Sequence, residues 1–200
     1  MAEIADIAEA IAPPVTSLRA WLDRLAARER LAIIRPGAAL RFELAAIAKH
    51  FEGRKATLFP APGGHRMPVV SGLVADRGWI AEAMGVKVSG LLARFEEAAH
   101  HTVPCRLVGT APVQAIVHEN VDLGALLPLP THNEFDSGPY ITAGLVITRN
   151  PRTLAQNVAI LRCQLSGPDR LGVLVLPRHT AYYLAMAESE GEPLPVAIVI

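Results

Sequence analysis

The 200-residue chain is 51% hydrophobic and 19% charged with a mean hydropathy of +0.30, which gives it enough apolar content for a real core and excludes general disorder. Nineteen basic residues balance nineteen acidic ones and no Lys/Arg cluster occurs, so the electrostatic footprint of a nucleic-acid binder is excluded. Apolar runs such as Leu171 to Pro177 fall short of the ~20 residues of a membrane span, and Glu3, Asp6 and Glu9 stand where a signal peptide carries positive charge, so a cytoplasmic location is expected.

Ser17 suits an N-cap, and Leu18, Trp21, Leu22 and Leu25 recur at helical spacing, so a helix follows the Pro13-Pro14 stop; the Ala-rich tail before it reads as a short helix or loose chain. A second helical pattern covers Arg41 to Phe51, and Ala56 to Phe59 reads as a short strand closed by Pro60 and Pro62. Gly63-Gly64 marks a turn, Met67 to Val70 is a further short apolar run, Asp76 to Met84 has a helical pattern, and Ser89 is expected to cap a helix carrying Leu91, Leu92 and Phe95.

From Cys105 onward the pattern changes to short apolar runs punctuated by Pro104, Pro112, Pro128, Pro130, Pro139, Pro151 and Pro168. The expected organisation is therefore a tail over 1–15, an α/β domain over 16–105 and a strand-rich region over 106–200. Strands are predicted at Ala115 to His118, Ile141 to Thr148, Asn157 to Leu165 and Leu171 to Leu176, then a helix over Thr180 to Ser189. This region suits a sheet or an incomplete barrel. The last six residues, from Pro195 to Ile200, look like a buried strand, which suggests that the chain is a fragment.

Cys105 and Cys163 are widely spaced and outside any CxxC, and both read as packing residues. A hydrolase built on Cys105 with His100 or His101 is disfavoured, because neither context activates a thiol. Glu134 and Asp136, in the turn-rich loop 128–139, read as solvated or capping residues.

Arg162 and Gln164 interrupt an otherwise apolar strand on the face that also carries Val158 and Ile160. The ordinary reading of Arg162 is an exposed strand face or a buried ion pair; the functional one is a clamp for carboxylate or phosphate, which its planar fork binds in a bidentate way. His179, after Pro177-Arg178, is by pattern alone an ordinary helix-start histidine.

The run from Gly138 to Gln164, GPYITAGLVITRNPRTLAQNVAILRCQ, preceded by LPLPTH and followed by Pro177-Arg178-His179, resembles the signature of UbiD-like decarboxylases. LRAWLDRL, FELAAIAKHFEG, LFPAPGGHRMPVVSGL and GEPLPVAIVI are also similar to the front end of that family, so the resemblance covers nearly everything after Val15. It implies an α/β class chain, with an N-terminal α/β domain followed by the first part of a split β-barrel of the flavin reductase kind. It also implies reversible non-oxidative decarboxylation of an aromatic or α,β-unsaturated carboxylic acid. The implied cofactor is prenylated FMN, held through a divalent ion such as Mn2+ with K+ nearby and supplied by a flavin prenyltransferase. A homo-oligomer is expected.

By the same resemblance Asn157 and His179 match metal ligands, Ile160, Leu161 and Arg162 line the flavin, Arg178 takes the cofactor-side position before the histidine, and Thr142 sits near the substrate. Arg162 also orients the substrate carboxylate. The third metal ligand and the proton donor, both glutamates, are expected beyond Ile200. A strand geometry constrains this assignment: residues five apart point to opposite faces, so Asn157 and Arg162 reach one flavin only if Asn157 lies at the strand's start or beside a bulge. The alternatives are a flavin-binding oxidoreductase on a split barrel, which would not need Asn157 and His179 at a metal, and a non-catalytic assembly subunit.

Overall fold

The computed structural model describes residues 12–200, so the reading of the tail falls outside the described residues. In chain order the elements are α1 (Leu18–Ala27), β1 (Leu31–Ile33), α2 (Glu43–Phe51), β2 (Ala56–Phe59), β3 (Val69–Ser71), α3 (Arg77–Ala83), α4 (Leu91–His100), α5 (Leu123–Leu126), β4 (Tyr140–Arg149), β5 (Gln156–Gly167), β6 (Arg170–Val173), α6 (His179–Ser189) and β7 (Val196–Val199). The chain is mixed α/β and divides into two compact units.

The first unit comprises residues up to Arg35 together with Ala48–Pro60 and Val69–Val117. Its sheet has the order β1-β2-β3, with β1 parallel and β3 antiparallel to β2. Ser17 starts α1 as expected, its Oγ accepting from the Ala20 amide at 3.2 Å. The helix buries Trp21 and Leu25 against Ala56 and Trp79. A buried indole needs a partner for its N–H, and Trp21 Nε1 donates to the Leu73 carbonyl at 2.9 Å. Asp76 caps α3 by accepting from the Gly78 amide at 2.7 Å.

Two expectations fail here. Ser89 is not the cap of α4: it lies inside a 3-10 turn, Val88–Gly90, and Gly90 occupies the cap position. Ala115 to His118 is not a strand, because the chain turns at Pro112–Gln114 and no described strand pairs with the residues that follow. Ile116 and Val117 alternate in the right composition, but a strand exists only where a neighbour accepts its hydrogen bonds, and both side chains are exposed.

The second unit comprises Pro36–Ile47, Ala61–Pro68 and His118–Ile200. An antiparallel sheet of order β6-β5-β4-β7 dominates it. Paired residues of an antiparallel sheet share a face, so the register defines two surfaces. The inner one carries Ile141, Val146 and Cys163, packed with Leu129 and flanked by Leu161, Leu165 and Ile198. The outer one carries Leu145, Val158, Ile160 and Val199, all exposed. Helix α6 packs on β4 and β5 and buries Thr180, Tyr183 and Ala187.

Leu25 is 1% exposed and Leu18, on the same helix, 52%. Leu25→Ala is expected to cost about 2–5 kcal/mol in urea unfolding, and Leu18→Ala no more than roughly 0.5 kcal/mol. Equal effects would contradict the core described above.

Candidate functional site

The predicted site residues gather on β4, β5 and the start of α6, all in the second unit. The loop before β4 is held by turn chemistry: the Asn133 amide donates to Asp136 Oδ2 at 3.0 Å and the Phe135 amide to Asn133 Oδ1 at 3.0 Å. Asp136 thus serves as a loop cap. Thr131 joins the same unit's earlier segment, receiving a hydrogen bond from the Phe42 amide at 2.9 Å.

β5 alternates along its length: Val158, Ile160 and Arg162 are exposed, whereas Asn157, Ala159, Leu161 and Cys163 turn to the inner side. Arg162 thus shares its face with Val158 and Ile160, as the sequence implies. Leu161 places its side chain against the inner core and pairs in register with Gly144 of β4.

Opposite Arg162 the pairing of β4 slips. Ile141 pairs with Cys163 and Gly144 with Leu161, so Thr142 and Ala143 together oppose the single residue Arg162. This is a β-bulge, and it leaves Thr142 and Ala143 exposed on β4 opposite Arg162. Gly144 makes the bulge fit: a Cβ there would lie 3.2 Å from methyl carbons of both Ile141 and Ile198. Tyr140 pairs with Gln164 on the outer face, and the Arg162 Cζ stands 5.8 Å from its ring centroid.

Asn157 is the second residue of β5, so the strand-start condition is the one the chain meets; the bulge lies elsewhere. The way round the strand is open as well. β6 pairs only with Cys163 to Gly167, so among the described residues no strand pairs with Gln156 to Arg162 on the edge away from β4. An elongated ligand can therefore run from Arg162 and Ile160 on the outer face, past this free edge, to Asn157 on the inner side.

At that inner end Asn157 Nδ2 donates to Thr180 Oγ1 at 3.2 Å, tying the start of β5 to the first turn of α6. Thr148, the register partner of Asn157, is buried with its hydroxyl unpartnered among the described residues. His179 opens α6 and Arg178 occupies the cap position without a side-chain cap, so the first-turn amides are left for solvent or a ligand. Pro177, Arg178, His179, Ala181 and Tyr182 line an open concavity of about 630 Å³. An amide oxygen, an imidazole and hydroxyls are donor types that a divalent ion such as manganese or magnesium accepts. Two such ligands do not complete a site, and among the described residues no group of three or more His, Cys, Asp or Glu side chains comes together.

The bulge, the free edge and the uncapped start of α6 escape sequence reasoning. The only signals were Gly144 inside an apolar strand pattern and the missing Ser, Thr, Asp or Asn before His179.

Residues 22–99 match the 3-octaprenyl-4-hydroxybenzoate carboxy-lyase N-terminal domain, and residues 106–200 match the Rift-related domain of the same carboxy-lyase, UbiD. This chain belongs to the UbiD family. The anhydromevalonate phosphate decarboxylase of Methanothermobacter thermautotrophicus is 33% identical over 183 residues, which cover 92% of this chain and 42% of that protein. The gallate decarboxylase of Lactiplantibacillus plantarum is 29% identical over 140 residues, 66% of this chain and 29% of that protein. Among solved structures, an evolved dimeric form of the UbiD-class enzyme HmfF from Pelotomaculum thermopropionicum, in complex with prFMN, superimposes with a TM-score of 0.89 at 44% identity, covering 93% of this chain and 44% of that one. The chain thus spans less than half the length of these relatives. No helix of the described residues is long and apolar enough to cross a membrane.

The two cysteines offer a direct test of the thiol alternative. Cys105 is exposed and so is not the packing residue its sequence context suggests, whereas burial disfavours the Cys163 thiolate and pushes that thiol up from its ordinary value. Between pH 7 and 8 iodoacetamide is expected to label Cys105 in the folded protein and Cys163 only after denaturation, as read by peptide mass, with no loss of activity.

Proposed function

We propose that a protein containing this chain decarboxylates an aromatic or α,β-unsaturated carboxylic acid with prenylated FMN and a divalent metal. The observation that carries this reading is the open-edged stretch Asn157 to Arg162, with a cationic fork facing one side and an amide tied to the start of α6 on the other. The likeness to an enzyme solved with prFMN supports it. Decarboxylation develops negative charge on carbon, and prenylated FMN supplies the electron sink for it when bound.

The chain's own residues bind and orient. Arg162 takes the carboxylate through its planar fork, with Thr142 beside it across the bulge, so that the bond to be broken is held in one direction. Ile160 and Val158 give the same face an apolar floor for the substrate. Leu161, between Ile160 and Arg162 on the strand, lines the cofactor with them. Asn157 and His179 hold the divalent ion, and Arg178 with the first-turn amides of α6 receives the cofactor's phosphate. Mn2+ with K+ nearby, a flavin prenyltransferase as cofactor supplier, a cytoplasmic location, a homo-oligomeric assembly and a split barrel in the complete fold belong to the same reading, as does a domain division near residue 105.

The test is to express the longest reading frame containing this chain together with a flavin prenyltransferase and to take the spectrum and mass of the released cofactor. Wild type should release prenylated FMN, and Asn157→Ala with His179→Ala should come out empty. Unmodified FMN would favour a flavin-binding oxidoreductase, and no flavin an assembly subunit; either overturns the reading. Arg162→Ala should keep its flavin while kcat/KM falls on the order of 100-fold.

A further inference from the structure

We propose that Thr180 is a positioning residue whose hydroxyl takes up the Asn157 amide nitrogen, so that Asn157 presents its oxygen to the divalent ion. This deepens the metal reading above and rests on it.

The need follows from the chemistry of the ligand. A carboxamide carries an acceptor oxygen and a donor nitrogen on one planar group, and half a turn about its last bond exchanges them with little change of shape. Only the oxygen binds a hard cation. An Asn ligand is therefore competent in one of its two orientations, and a partner that takes the nitrogen selects that one. Asn157 Nδ2 donates to Thr180 Oγ1 at 3.2 Å.

The hydroxyl is itself held. Thr180 is 8% exposed. Thr180, Tyr183 and Ala187 recur at i, i+3 and i+7, the spacing of one helix face, so the residue belongs to the stripe by which α6 packs on β4 and β5. A β-branched side chain has few χ1 rotamers open to it in a helix. At the far end of the helix Arg152, in the turn between β4 and β5, donates from Nε and Nη2 to Glu190 Oε1, each at 3.1 Å. Helix α6 is thus joined to the β4–β5 hairpin at both ends. On the strand, Asn157 pairs in register with the buried Thr148, which fixes the backbone that carries the amide.

The place of Thr180 in the chain gives the contact its consequence. Thr180 follows His179 directly, so one hydrogen bond, spanning 23 residues, ties one proposed ligand to the neighbour of the other. Removing an outer partner of this kind weakens metal binding about 10- to 100-fold.

The experiment uses the longest reading frame containing this chain, stripped of metal and titrated with Mn2+ in the presence of FMN, with free Mn2+ read from its EPR signal. Thr180→Val keeps the shape and removes the hydroxyl, and it should raise the Kd for Mn2+ about tenfold or more. Thr180→Ser keeps the hydroxyl and gives up the methyl group, and it should stay near wild type. Circular dichroism of the metal-free variants checks that they fold; should Thr180→Val not fold, Thr180→Ala, a better helix former, carries the same expectation. A Kd for Thr180→Val equal to that of wild type overturns the proposal. Thr180→Ser weakened as much as Thr180→Val, or more, assigns Thr180 to packing and overturns it too.

Asn157→Ala separates the proposal from the reading beneath it and should bind Mn2+ more weakly than Thr180→Val. If Asn157→Ala binds Mn2+ as wild type does, the metal reading fails and the proposal falls with it. If Asn157→Ala loses Mn2+ while Thr180→Val keeps it, the proposal alone fails.

Discussion

The pleat of β5 is the constraint on which the site depends. Side chains of a strand alternate between two faces, and the buried set on β5, with Cys163 at its centre, fixes which face is which. Once Leu161 and Cys163 are committed to the core, Ile160 and Arg162 have to stand outside it. A slip of one residue would bury the guanidinium without a partner and expose the core leucine, a cost of several kcal/mol that no other contact here would offset.

The second determinant is what does not pair with β5. Its ladder with β4 runs almost the whole length, but β6 covers only the far end. That asymmetry leaves the stretch that carries Asn157 and Arg162 approachable from its bare edge among the described residues. The hydrogen bond from Asn157 to Thr180 then sets α6 at the end of this path, and with it the residues Arg178 and His179.

Local pattern made much of this legible. The helix capped by Ser17, the strand Ala56–Phe59 and the pair of long strands around Asn150 follow from periodicity and caps, because each is stabilised by neighbours close in sequence. Ala115 to His118 was misread for the opposite reason: its composition suits a strand, but strand formation needs a partner. The three-residue strand β1 went unseen because Leu31–Ile33 is too short to show a period. Within the candidate site, the residues are proposed from family likeness, and composition could not single them out. The bulge at Thr142 and Ala143 depends on how β4 slips against β5, and the nearness of Tyr140 to Arg162 is a consequence of that register, so neither can be read from one strand alone.

The sheet also determines how the chain behaves in solution. Its two outermost strands, β6 and β7, have four residues each, against ten and twelve in the central pair. These short borders offer few free backbone groups to another molecule, whereas the unpaired edge of β5 from Gln156 to Arg162 offers a longer run of them. The broad apolar surface of Leu145, Val158, Ile160 and Val199 has no comparable protection. Self-association of this chain in isolation is therefore open to both the bare edge of β5 and this apolar face, and contacts through the face will respond to salt and temperature as hydrophobic contacts do.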